Sequence, residues 1–138
     1  MKNLHFENSV SYVRGQNQAT ETPLPLIPPI KIINELKYEL SRKSSKGFQD
    51  PYIKIELINV VAQNRVDPFE STTRGYTLTN VGLGSNLLIG KQTAHIFIKV
   101  ANIFNVSYYN HLSRLKEISV HGTGRNISIG VFVPIGLK

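Results

Sequence analysis

The stretch Asn126-Ile127-Ser128-Ile129-Gly130-Val131-Phe132-Val133-Pro134-Ile135 decides how this chain is read. Ile127, Ile129, Val131, Val133 and Ile135 fall on one side of an extended backbone, and Asn126, Ser128, Gly130, Phe132 and Pro134 on the other. Successive side chains of a strand point to opposite faces, so this pattern predicts a β-strand with one continuous aliphatic face and one small or polar face. A tilted membrane-spanning strand needs about 9–11 residues, and the segment supplies that length.

Moving outward from it, the same period recurs along the chain. Leu4 to Arg14 sets Leu4, Phe6, Val10 and Tyr12 against His5, Glu7, Ser9 and Ser11. Ile30 to Leu40 sets Ile32, Leu36, Tyr38 and Leu40 against Lys31, Glu35, Lys37 and Glu39. Tyr52 to Ala62 places Ile53, Ile55 and Leu57 opposite Lys54 and Glu56, and Thr93 to Phe104 places Ala94, Ile96, Ile98 and Val100 opposite His95, Phe97 and Lys99. Tyr76 to Leu88 carries Tyr76 and Leu78 on one parity but Val81 and Leu83 on the other, which predicts a β-bulge near Asn80 or Gly82. The only helical pattern is a weak amphipathic one over Tyr109 to Ile118. The expected fold is all-β, an antiparallel up-and-down meander of about six strands.

The connections alternate in length. Gly15 to Pro29, with Pro23, Pro25, Pro28 and Pro29, is long and cannot be a central strand; Ser41 to Pro51 is a shorter turn. Gln63 to Arg74 is long again, Ile89 to Gln92 short, and Asn105 to Gly124 the longest. Outer-membrane barrels have long extracellular loops and short periplasmic turns, the pattern seen here. No apolar run approaches the roughly 18 residues of a transmembrane helix, so only a closed barrel could carry this backbone through lipid with every N–H and C=O paired.

A soluble barrel would reverse the faces without changing the period, and magnitudes decide what a membrane barrel requires. A Lys on the lipid side costs about 2–4 kcal/mol at the bilayer midplane, so Lys37, Lys54, Glu56 and Lys99 are expected to face the lumen. Tyr12, Tyr76 and Phe104 near the long loops, and Tyr38 and Tyr52 near a short turn, are expected to form aromatic girdles.

Sixteen Lys and Arg against nine Asp and Glu give a net charge of +7. Lys31, Lys37, Lys54 and Lys99 are spread through strands and Arg65, Arg74, Arg114 and Arg125 through loops, without a compact basic stripe, so no nucleic-acid partner is expected. With no cysteine, disulfides and thiolate metal sites are excluded. His111 and His121 match no compact ligand spacing and read as solvated loop residues, so neither a metal nor another cofactor is expected. Glu7, Glu35, Glu39 and Glu56 sit among lysines as in a polar barrel interior, and Ser113, Ser119 and Ser128 lack a His and Asp arrangement, so no catalytic residues and no enzymatic role are expected. Met1 to Glu7 has no apolar run with a cleavage site, and no secretory signal is expected within it.

Several stretches carry a family likeness: Leu24-Pro25-Leu26-Ile27-Pro28-Pro29, then Ala62-Gln63-Asn64-Arg65-Val66 leading to Phe69-Glu70-Ser71-Thr72-Thr73-Arg74-Gly75-Tyr76, then Val100-Ala101-Asn102-Ile103-Phe104-Asn105. They are followed by Tyr109-Asn110-His111-Leu112-Ser113-Arg114-Leu115-Lys116 and by Gly124-Arg125-Asn126 before the closing strand. In this order and spacing, over nearly the whole chain, they resemble the carboxy-terminal part of the barrel of TonB-dependent outer-membrane receptors, particularly those of Bacteroidetes-like bacteria.

The resemblance implies a plugged barrel of about 22 strands, of which residues 1–138 supply the last six, with the plug domain and earlier strands lying outside them. It implies a parent receptor that imports a scarce nutrient of the iron-siderophore, haem or cobalamin class, the fragment not being competent alone. TonB and the plug domain become partners through the intact receptor, together with outer-membrane lipid, lipopolysaccharide and the barrel assembly machinery. Arg65, Arg74, Tyr109, His111, Arg114 and Arg125 become candidate contacts to an anionic substrate or to lipopolysaccharide phosphates. The usual terminal aromatic is replaced by Val133-Pro134-Ile135-Gly136-Leu137-Lys138, although Gly130, Val133 and Ile135 keep the spacing of an assembly signal. Two other readings leave the strand pattern intact: a soluble up-and-down β-domain binding a small ligand, and a polysaccharide-contacting adhesion module.

Overall fold

The computed structural model describes residues 3–40, 47–90 and 92–134. One sheet contains β1 (Leu4–Ser11), β2 (Lys31–Glu39), β3 (Phe48–Val60), β4 (Tyr76–Ile89), β5 (Gln92–Ala101) and β6 (Asn126–Phe132). Each strand pairs antiparallel with the next, in the order β1-β2-β3-β4-β5-β6. The expected six-stranded meander is the observed fold.

Where strand ends differ from expectation, the backbone explains it. β1 stops at Ser11, which pairs with Lys31; the next partners along β2 would be Ile30, Pro29 and Pro28, and the two prolines have no N–H to give a ladder. β3 begins at Phe48 rather than Tyr52, because the bulge lies here. Its register shifts between Gln49 and Tyr52, where Asp50 adopts φ 48° and Pro51 sits outside the ladder.

The bulge expected near Asn80 or Gly82 is not there. β4 keeps unbroken register from Tyr76 to Gly84 against β3 and from Val81 to Ile89 against β5. Tyr76 and Leu78 instead share the face of Asn80 and Gly82, and the apolar residues change sides because that end of the polar face is packed: the Tyr76 and Tyr108 rings lie 4.3 Å apart. The closing strand ends at Phe132, and Ile135 lies outside the described residues. The helical expectation over Tyr109 to Ile118 shrinks to a 3₁₀ turn, η1 (Arg114–Ile118), in which the Leu115 N–H donates to the capping Ser113 hydroxyl.

The register lines residues up in rows across the sheet. His5, Lys37, Lys54, Gly82, Lys99 and Ser128 form one row, and Glu7, Glu35, Glu56 and Asn80 the row beside it. Like charges directly opposed across strands repel, so the rows satisfy each other diagonally. Lys54 Nζ lies 2.9 Å from Glu35 Oε2 and Lys99 Nζ 3.9 Å from Glu56 Oε1, while Lys37 Nζ meets Glu39 Oε1 at 2.8 Å. Lys37, Lys54, Glu56 and Lys99 therefore occupy one face, as their parity predicts.

The opposite face is aliphatic and unpartnered. Phe6, Val10, Leu36, Ile53, Ile55, Leu83, Ile98, Ile127 and Val131 are exposed there, and Ile129 is 76% exposed. Among the described residues only Val60 and Ala94 are buried apolar side chains. A soluble domain buries such a face against a second layer, and here the described residues supply none. Tyr12 and Tyr38 share the apolar parity, near opposite ends, but Tyr52 and Tyr76 lie on the polar side and so do not join a girdle. No described helix is long and apolar enough to cross a membrane.

Candidate functional site

The three long connections, residues 12–30, 61–75 and 102–125, all follow upward strands and gather at one end of the sheet. The last is anchored by Asn102, which is 3% exposed and adopts φ 49°. Asparagine tolerates this left-handed conformation better than other residues with a Cβ. Its backbone N–H donates to Asn80 Oδ1 (2.8 Å), its side-chain amide donates to Val106 O (2.9 Å), and its Oδ1 accepts from Val106 N (2.8 Å). Asn80 in turn donates to Glu56, so the loop is tied directly to the charged rows. Asn105, also at positive φ, accepts from Arg125 N at 2.9 Å and so closes the base of the same loop. In the sequence this anchor is signalled only by two asparagines three apart, Asn102 and Asn105, just past a strand.

A second cluster joins all three loops. Glu70 accepts from Leu26 N (3.1 Å) with one oxygen and from Lys116 Nζ (2.9 Å) with the other. Lys116 also donates to Ser71 O, and Ser71 Oγ donates to Glu117 Oε1 at 2.7 Å. His111 is 2% exposed, not a solvated loop residue as its sequence context suggests. Its Nδ1 faces Thr73 Oγ1 (3.0 Å) and Lys116 Nζ (3.4 Å); an ammonium can only donate, so Nδ1 carries the lone pair and Nε2 the proton. Nε2 stands 3.2 Å from Glu70 Oε1 without making a hydrogen bond.

Charge placement fits these protonation states. Burial, reinforced by the neighbouring Lys116 charge, holds His111 below its ordinary pKa despite the opposing pull of Glu70 and Glu117. Burial pushes the Glu70 carboxyl upward, but the Lys116 and Leu26 hydrogen bonds and the Lys116 charge outweigh it and leave the pKa lowered. The cluster is thus a neutral imidazole beside a paired carboxylate and ammonium, a fastening rather than an acid–base site.

The candidate contact residues separate. Arg74 and Tyr109 line one cavity with Asn64 and Thr72. Arg114 lines another, beside Asp67, Glu70 and Glu117. Arg65 is spent on loop architecture, donating to Gly15 O (3.0 Å) and Gln16 Oε1 (3.2 Å). His111 belongs to the fastening, and Arg125 follows Gly124 at the base of the last loop. Of the proposed assembly residues, Gly130 lies under the Phe97 ring, Val133 extends past the ladder, and Ile135 is outside the described residues. Among the described residues no three His, Cys, Asp or Glu side chains are grouped to hold a metal ion.

No family model and no curated protein matches the sequence. Among solved structures, the chain is similar in fold to the copper transporter OprC, with a TM-score of 0.76 at 20% identity over 95% of this chain. The matched region is 21% of that protein, so the chain spans about a fifth of its length, and the likeness is one of fold.

Proposed function

We propose that this chain is the carboxy-terminal six-stranded portion of the barrel of a TonB-dependent outer-membrane transporter. The observation that carries the reading is the sheet itself: charged rows on one face, an exposed aliphatic surface on the other, and two buried apolar side chains among the described residues. In hydrocarbon such a surface needs no second protein layer, and the charged face lines a wet lumen. The likeness to a copper transporter supports a transport role. In the intact receptor the plug domain fills the lumen and TonB supplies energy; lipid and lipopolysaccharide surround the barrel, and the assembly machinery reads its last strand. The cargo we infer is a scarce nutrient of the iron-siderophore, haem or cobalamin class, which the loops at the long-connection end first meet.

These residues contribute no cysteine of their own, so labelling is read as the change that each added cysteine makes over the unsubstituted protein. Single cysteines placed alternately along β3 and β6 of the full-length protein in lipid vesicles report which face is wet. Ile55→Cys and Ile129→Cys should resist a hydrophilic maleimide, while Lys54→Cys and Ser128→Cys should react. Labelling of both parities alike would overturn the membrane reading.

A further inference from the structure

Asn64, Thr72, Arg74 and Tyr109 converge on a cavity of about 370 Å³ between the β3–β4 connection and the last loop. Its size is enough for a small organic ligand. The isolated bridge Gln63↔Thr73 continues the register set by Val60↔Tyr76, so Asn64, Thr72 and Arg74 carry the parity of the polar face. Among the described residues none of the four spends a side-chain donor on a protein partner, and no carboxylate lines the space. The other loop arginines differ: Arg65 is bonded to Gly15 and Gln16, and Arg114 lines a cavity that also holds the carboxylates Asp67, Glu70 and Glu117. The Tyr109 ring is held in place by stacking on His121, with centroids 4.3 Å apart and planes 23° apart.

A guanidinium fork matches a carboxylate or phosphate bidentately, an amide and two hydroxyls can satisfy the remaining oxygens, and a fixed ring offers a flat wall. We propose that this cavity is a binding site for a small organic oxyanion, whose carboxylate or phosphate is gripped by Arg74 while its body lies against Tyr109. The proposal rests on the transporter reading, because that reading turns the polar face toward the lumen, where cargo rather than membrane lipid reaches it.

The test uses the full-length protein containing this chain, folded in detergent micelles, with citrate and inorganic phosphate as calorimetric probes. The altered mobility of an unheated sample on a denaturing gel reports barrel closure independently. Wild type should bind citrate, Arg74→Gln should weaken binding about tenfold or more, about 1.4 kcal/mol, Arg74→Lys should recover part of it, and Arg14→Gln should leave it unchanged. A closed barrel that binds neither probe, or binds them equally well as Arg74→Gln, overturns the site alone. Arg74-dependent binding of lipopolysaccharide vesicles without binding of either free anion overturns the cargo assignment. A protein that forms no barrel in detergent overturns the transporter reading and the site with it.

Discussion

Tyr52 lies across Gly84 on the neighbouring strand: the two are directly opposed in β3 and β4, and the ring Cζ and Oη come within 2.5 Å of where a Gly84 side chain would begin. Phe97, opposed to Gly84 from β5, covers Gly130 of β6 in the same manner. The row Tyr52, Gly84, Phe97, Gly130 alternates ring and hydrogen, so large aromatics lie flat on the polar face without colliding.

Gly84→Ala is therefore expected to destabilise. Alanine in a strand gains about 0.5–1 kcal/mol over glycine from backbone entropy, but displacing the ring costs about 1–3 kcal/mol. Gly82→Ala is the control, since its added carbon would meet nothing closer than 3.8 Å. Urea unfolding of the full-length protein in micelles should give a lower midpoint for Gly84→Ala and an unchanged or higher one for Gly82→Ala. Equal midpoints would mean the Tyr52 ring moves freely.

Acidification should loosen the loop fastening in two stages. His111 is neutral in the fold with a lowered pKa, so its contribution is complete above about 6.5 and declines as pH falls below that value, where the unfolded segment takes up a proton the folded one resists. Glu70 also has a lowered pKa, so its contribution is present above about 4.5 and is lost as pH falls further. Both slopes have the same sign. Amide-exchange protection of residues 67–73, corrected for intrinsic rate, should drop between pH 7.5 and 5.5 and again toward pH 4. His111→Gln should abolish the first step, and flat protection across the range would exclude the mechanism.

Separating Lys116 from Glu70 should release the same loops at neutral pH, where both groups are charged. Their side chains are 4% and 8% exposed, and removing one member of so enclosed a pair leaves the other charge unpaired, at a cost of about 3–5 kcal/mol. Glu70→Ala also strands Leu26 N–H, so it should increase proteolytic cleavage in both the 12–30 and 61–75 connections, whereas Lys116→Met, which preserves the Leu26 bond, should expose chiefly the latter. Identical cleavage patterns in the two variants would show that Glu70 does not join the loops.

The strands were legible because period two is a local property: Ile127, Ile129 and Val131 declare their face within a few residues, and Lys37, Lys54 and Lys99 declare the other. The misplaced bulge shows the limit of that signal. A switch of hydrophobic parity at Tyr76 and Leu78 looks identical whether the backbone slips or the environment changes, and here the Tyr108 ring changed the environment. The fastening was illegible because Glu70 meets Leu26 44 positions away and Lys116 46 positions away, a juxtaposition made only by stacking separate hairpins. His111 consequently read as solvated when it is enclosed.

Asn102 supplies a sharper test of how the last loop is held. Asn102→Ala loses all three side-chain bonds, to Val106 O, Thr123 O and Val106 N, each contributing about 0.5–1.5 kcal/mol, and places a residue poorly suited to positive φ at 49°. Asn102→Gly loses the same bonds but accepts the backbone conformation. The alanine variant should therefore lower the thermal midpoint in micelles more than the glycine variant, and both should increase exchange at Val106. The reverse order would mean that backbone conformation contributes nothing at this position.

The two faces of β6 give the last prediction. Ile129 and Ser128 are neighbours in sequence, equally near the middle of the strand, but the first belongs to the aliphatic surface and the second to the row containing Lys99. If hydrocarbon covers the aliphatic surface, Ile129→Lys should cost about 2–4 kcal/mol near the midplane, while Ser128→Lys adds charge beside Lys99 in a wet lumen and should cost less than about 1 kcal/mol. In water the ranking collapses, because Ile129 is already exposed and a lysine there loses no protein contact of consequence. Folding titrations of the full-length protein into lipid vesicles separate these cases: a large penalty confined to Ile129→Lys supports lipid contact, and equal penalties at the two positions would remove it.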